Sequence, residues 1–259
     1  KFVYVIRDDK KNLNIGIIGK YTSLEDSYLS VKEALMHAAV NQELNLKIDW
    51  ILSDEIEQSD LDKVLGKLSG IVIPGGFGPR GIDGMVRCAN YARTKSIPYL
   101  GLCLGMQIMV IEYARNVLKL EDVNSTEMKE DCKNPIISLM ENQKSIVNKG
   151  GTMRLGAWDC ELLKNSKTEK IYNKKVISER HRHRYELNNK YLDQLNKGDL
   201  VPSGINPETN LVEIIEHREH PWFIGVQFHP EYSSTVLEPH PLFKSFINSS
   251  LENLKNNIN

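Results

Sequence analysis

Cys103 stands in Gly101-Leu-Cys-Leu-Gly105, directly after an apolar run over residues 98–102 and directly before a helical pattern. Glycines two residues either side of a nucleophile are the spacing of a nucleophile elbow, a strand-to-helix turn so tight that its flanks must be small, which lifts the central side chain above a sheet. With sulfur there, the positive end of the following helix favours the thiolate. A free cysteine is more often an inert core residue, and the two glycines weigh against that reading. A cysteine nucleophile needs a base, and the base needs an orienting group. Of the seven histidines, only His229 directly follows a strongly apolar run, Phe223-Ile-Gly-Val-Gln-Phe228, and has a carboxylate two residues on. In Phe228-His-Pro-Glu231 the proline stops the strand, and Glu231 can fix the imidazole tautomer. The three-residue match is weak alone and gains its weight from the cysteine elbow.

Pro74-Gly-Gly-Phe-Gly-Pro-Arg-Gly81 follows another apolar run and contains Gly76-x-Gly78-x-x-Gly81. That spacing matches a dinucleotide fingerprint, but Pro79 has no N–H for a pyrophosphate. The next strand ends in Leu-Gly-Leu-Cys103, with no acid for a ribose. The reading that remains is an oxyanion hole, with the Gly76 and Leu104 amides as donors. Gly16-Ile-Ile-Gly19-Lys20-Tyr21 is too short for a P-loop and has Tyr where Ser or Thr should bind magnesium. Arg180, Arg182 and Arg184 alternate with His181 and His183, so a strand would place the arginines on one face and the histidines on the other. A metal site at His181-x-His183 is a weak reading, and the net charge of only −1 argues against a nucleic-acid surface.

The elements that must position these groups alternate between strand and helix patterns. Strands are expected at 14–18, 47–52, 70–73 and 98–102. Helices are expected from residue 24 through Tyr28, Val31, Leu35 and Ala38, and at 83–95 and 104–115. The second half reads as more β-rich, with strands at 175–177, 183–187, 211–216 and 223–228 and a closing helix over 241–254. The fold class is α/β: a mainly parallel central sheet flanked by helices, with a smaller β-rich extension and ligands at the strands' carboxyl ends. About two residues in five are hydrophobic, enough for a sizeable core. Four widely spaced cysteines without a CxxC pair argue against a disulfide scaffold or a zinc site and suit a reducing, cytoplasmic setting. No signal sequence is legible, and the longest apolar stretch is too short to span a bilayer.

Taken together, Pro74-Gly-Gly-Phe-Gly78, Gly101-Leu-Cys-Leu-Gly-Met-Gln107 and Phe228-His-Pro-Glu231 resemble class I glutamine amidotransferases, whose fold is flavodoxin-like. Within that superfamily, further motifs resemble the glutaminase domains of CTP synthases. These are Gly19-Lys-Tyr21 with Ser27-Tyr-Leu-Ser-Val-Lys-Glu-Ala-Leu35, Asn124-Ser-Thr-Glu127 and Gly150-Gly-Thr-Met-Arg-Leu-Gly156, followed by Glu179-Arg-His-Arg-His-Arg-Tyr-Glu186 and His220-Pro-Trp-Phe223. The resemblance runs in order from about Asn14 to Phe246.

It implies hydrolysis of L-glutamine to glutamate and ammonia by Cys103, His229 and Glu231 through a γ-glutamyl thioester. Gly76, Leu104, Gly105, Met106 and Gln107 would line the glutamine pocket, Glu127 would bind the α-ammonium and Arg184 the α-carboxylate. Arg80 is a candidate effector or lid residue. No cofactor is implied in this domain. ATP, UTP and Mg2+ would belong to an N-terminal synthetase domain of the same polypeptide, which receives the ammonia and makes CTP. GTP is a candidate activator, although the loop between Glu127 and Gly150 looks shorter than in many relatives. The resemblance further implies a cytoplasmic homotetramer and a division of the chain into a linker remnant (1–13), the amidotransferase domain (14–254) and a frayed tail (255–259). A γ-glutamyl hydrolase with the same triad, and a catalytically idle domain kept for assembly or regulation, are the alternative readings.

Overall fold

The computed structural model describes residues 12–139 and 153–258. Its elements run β1 (Asn12–Gly19), α1 (Leu29–Asn41), β2 (Asn45–Leu52), α2 (Ser53–Ile56), α3 (Leu61–Leu65), β3 (Gly70–Ile73), α4 (Ile82–Thr94), β4 (Tyr99–Leu102) and α5 (Leu104–Asn116). They continue with β5 (Val123–Ser125), β6 (Asn134–Leu139), β7 (Arg154–Leu162), α6 (Lys167–Tyr172), β8 (Val176–His183), β9 (Tyr185–Leu187), α7 (Leu192–Lys197), β10 (Leu200–Ile205), β11 (Val212–His217), β12 (Phe223–Val226) and α8 (Pro241–Ile258). The described strands form a nine-stranded sheet in the order β2-β1-β3-β4-β12-β11-β10-β7-β8 and a three-stranded sheet, β5-β6-β9. From β2 to β12 neighbours pair parallel; from β12 to β8 they pair antiparallel. Much of the β-rich second half therefore widens the central sheet, and the small sheet stands beside it.

Parallel strands covered on both faces need apolar residues on both. Ile15, Ile17, Val72, Leu100, Leu102, Ile224 and Val226 pack with α1 and α8, whereas Ile71, Ile73, Tyr99 and Phe223 pack with α4 and α5. The period-2 split of each strand between two cores fixes its register, since a one-residue slip would exchange every contact. α5 is the most enclosed helix: every residue from Leu104 to Ala114 is buried. Its Glu112, fully buried, is held by Arg93 of α4 through Nε–Oε2 and Nη2–Oε1 contacts of 2.9 and 2.8 Å.

The departures from expectation have local causes. The first helix begins at Leu29, after a 3-10 turn over Glu25–Tyr28. The strands expected at 175–177 and 183–187 are β8 and β9, which belong to different sheets. Along β8, Arg180 and Arg182 are exposed while His181 and His183 are buried, as the alternation requires; Arg184 falls in the break after it. β1 starts at Asn12, inside the expected linker, because Asn12 pairs with Asn45. α8 continues past residue 254 to Ile258, with Leu251 and Leu254 still packed on the core. Residues 1–11 of the expected linker, Asn259 of the tail and residues 140–152, which hold Gly150-Gly-Thr152 and part of the loop after Glu127, lie outside the described residues. No described helix is long and apolar enough to cross a membrane.

Candidate active site

Three strand ends build the site: β3 runs into the glycine loop, β4 into Cys103, and β12 into Gln227-Phe228-His229. Cys103 has φ 52° and ψ −98°, a conformation that L-residues rarely adopt and that costs about 1–3 kcal/mol where a fold enforces it. Its N–H donates to the Val226 carbonyl at 2.7 Å, which pins the turn to β12. The flanking glycines are sterically required. A Cβ on Gly101 would lie 2.5 Å from the Gly105 carbonyl carbon, and one on Gly105 would collide with the Ile73 carbonyl oxygen. Tyr99 Oη closes the turn by donating to the Gly105 carbonyl at 2.7 Å. Cys103 thus caps the N-terminus of a thirteen-residue helix whose positive end favours an anion there.

His229 is positioned from both sides. Its N–H donates to the Arg180 carbonyl at 2.8 Å, and its Nδ1 shares a 2.7 Å hydrogen bond with Oε1 of Glu231. Pro230 opens the short 3-10 turn that carries Glu231 back toward the ring. With Nδ1 on Glu231, Nε2 is the ring nitrogen left for Cys103. Burial disfavours the imidazolium, yet hydrogen bonding and charge attraction to Cys103 and Glu231 outweigh it and push the His229 pKa up to about 11. Attraction to Cys103 and Glu231 thus favours a cationic imidazole in the His229–Cys103 pair. Gly75 lies against that pair: a Cβ there would come within 3.0 Å of His229 Cε1 and 3.8 Å of Cys103 Cβ.

Gly76, Cys103, Leu104, Gln107, Glu127 and Arg184 share one narrow cavity of about 60 Å³. Gly105 and Met106, expected among them, lie behind its wall, because Gly105 presses on Ile73 and Met106 is buried in the core against Gly225. Cys103 also opens onto a wider cavity of about 350 Å³ shared with Gly76, His229 and Tyr232. A Cβ on Gly76 would meet Leu104 Cδ2 at 3.1 Å, so Gly76 packs against the side chain of Leu104, the other residue expected to donate to the oxyanion. The loop beyond Gly76 is gripped on both polarities. Gly78 N–H donates to Glu127 Oε1 at 2.9 Å, while Lys20 Nζ donates to the carbonyls of Phe77, at 3.0 Å, and Gly78. Burial lowers the Lys20 pKa to about 8, against the pull of Glu127. Arg80 stays at the rim, bonded to Asp54 at 2.7 Å and to the Lys20 carbonyl.

Sequence reasoning missed Lys20, Gly75 and Gln227. Lys20 lies in the Gly19-Lys-Tyr21 motif without a role assigned to it there, and only the fold shows that it is 2% exposed. Gln227 had a signal: it is the single polar residue in the run Phe223-Ile-Gly-Val-Gln-Phe228, and it is fully buried.

The chain matches the model of the glutamine amidotransferase class-I family over residues 23–249. It is 51% identical to a CTP synthase of Christiangramia forsetii over 252 residues, covering 97% of this chain and 46% of that protein. A CTP synthase of Clostridium kluyveri is 52% identical over 95% of this chain and 46% of its own length. The chain thus spans about half the length of the curated relatives it matches. Among solved structures, the Trypanosoma brucei CTPS glutaminase domain with bound acivicin superposes with a TM-score of 0.86 at 37% identity, covering 93% of this chain and 94% of that one. PurLQS from Thermotoga maritima, at 15% identity and a TM-score of 0.52, shares the fold. The elbow, the histidine beside it and these likenesses place the chain in one family: it belongs to the class I glutamine amidotransferases, as a glutaminase domain of the CTP synthase type.

Proposed function

We propose that this domain hydrolyses L-glutamine to glutamate and ammonia through Cys103, His229 and Glu231. The observation that carries the reading is the hydrogen-bonded His229–Glu231 pair beside Cys103, which lines one cavity with both Glu127 and Arg184. A free amino acid needs one anion for its ammonium and one cation for its carboxylate, and Glu127 and Arg184 supply them. The Cys103 sulfur attacks the side-chain carbonyl carbon, the C–S bond forms, and the carbonyl electrons move to oxygen, where the Gly76 and Leu104 amides stabilise the charge. The His229 proton passes to the amide nitrogen, which leaves as ammonia. Water then attacks the γ-glutamyl thioester, the C–S bond breaks, and glutamate departs. The narrowness of the cavity favours free glutamine over a γ-glutamyl peptide.

In this proposal the ammonia serves ATP-dependent amination of UTP to CTP on a synthetase domain of the same polypeptide. ATP, UTP and Mg2+ act there, and GTP is the candidate activator with Arg80 at the rim. The assembly proposed is the homotetramer, in the cytoplasm. Glutamate release from glutamine tests the core of the reading. The intact protein should turn glutamine over, and Cys103→Ala should not. Equal rates for the two, or hydrolysis of γ-glutamyl peptides in preference to glutamine, would overturn it.

A further inference from the structure

β4 and β12 pair parallel with Leu102 opposite Val226, so the next residues, Cys103 and Gln227, emerge side by side at the carboxyl edge of the sheet. Gln227 is fully buried, and its main-chain N–H is fixed on the Glu213 carbonyl at 2.8 Å. A buried carboxamide must satisfy both ends, and its orientation follows from its neighbours. The Tyr185 carbonyl can only accept, which turns Gln107 Nε2 toward it at 3.2 Å. The same nitrogen donates to Gln227 Oε1 at 3.4 Å. That leaves Gln227 Nε2 facing Cys103 Sγ, at 3.6 Å. Two glutamines thus transmit the polarity of one backbone carbonyl to the sulfur.

We propose that Gln227 is a further catalytic residue, whose carboxamide N–H holds the Cys103 sulfur as a thiolate and receives it again as leaving group in thioester hydrolysis. The inference rests on Cys103 being the nucleophile. A thiol sulfur accepts hydrogen bonds weakly and a thiolate strongly, so the contact favours the charged form. During hydrolysis, water oxygen bonds to the thioester carbon and a water proton passes to His229. The C–S electron pair then returns to sulfur, which regains the imidazolium on one side and the Gln227 N–H on the other. Gln107 acts through Gln227 and is a positioning residue in this respect.

The test is alkylation of the intact protein by iodoacetamide as a function of pH, with Cys103→Ala supplying the background from other cysteines. Gln227→Met keeps the length of the side chain and removes the donor. Its half-maximal alkylation should move up by about one pH unit, while its high-pH plateau stays at or above the wild-type rate, because a more basic thiolate is intrinsically more nucleophilic. Quenched turnover samples should show more γ-glutamyl adduct on the protein than wild type does. Gln107→Met should shift the alkylation midpoint in the same direction by less, and this arm decides the matter if Gln227→Met does not fold. Midpoints that coincide with wild type, or an equal loss of rate at every pH, would overturn the proposal. Alkylation needs no substrate, so wild-type protein that ignores glutamine would sink the proposed function without touching this result.

Discussion

The Gly78 amide donates to Glu127 Oε1 at 2.9 Å, so the proposed ammonium-binding carboxylate is also an anchor of the glycine loop. Removing it should therefore damage both binding and chemistry. Glu127→Ala is expected to lower kcat/KM by about 10- to 100-fold, the scale of a lost hydrogen bond to a charged group. Part of the loss should appear in kcat. A steady-state profile showing an unchanged kcat would restrict Glu127 to substrate capture.

Lys20 grips the other polarity of the same loop. With its pKa lowered to about 8 by burial, it is charged below that pH and neutral above it. Raising the pH through 8 removes the charge that holds the Phe77 and Gly78 carbonyls, so kcat should decline there. Lys20→Arg, which stays protonated, should lose this alkaline limb, and Lys20→Gln should be slow at every pH. An alkaline limb that survives in Lys20→Arg assigns it to another group.

The elbow should not tolerate a methyl group. Gly105→Ala drives a Cβ into the Ile73 carbonyl, and Gly101→Ala places one against Gly105. Each should cost about 1–3 kcal/mol or more by overpacking, read as a lower urea midpoint. Labelling of Cys103 should fall as well, since the strained turn cannot be kept.

Arg93→Ala leaves Glu112 buried at the sheet-facing helix with its cation gone. Breaking a buried pair in this way costs about 3–5 kcal/mol. Urea unfolding should show that loss, and Glu112→Gln in the same background should recover part of it by removing the stranded charge.

The legible parts of the site were those in which covalent spacing does the positioning. Gly101-x-Cys103-x-Gly105 encodes its own turn, and His229-Pro-Glu231 encodes its own ion pair, so each local segment carries its geometry. Glu127 and Arg184 are 57 residues apart in the chain and meet in one cavity only through the small sheet; resemblance, not periodicity, pointed to them. Gln227 reaches Cys103 through strand register, which no local pattern records. β7 and β10 escaped notice for a different reason. β7 exposes Leu155, Gly156 and Ala157 in succession, and β10 carries Pro202 and Gly204 at register shifts, so neither shows a clean apolar alternation.

β12 enters the sheet between β4 and β11, and its Val226 carbonyl holds the strained Cys103 turn. Cys103 leaves the ribosome more than a hundred residues before His229 and before the strand that fixes it. A chain arrested ahead of residue 223 carries the thiol with neither partner, so the arrangement can form only after β12 has emerged and marks a finished sheet.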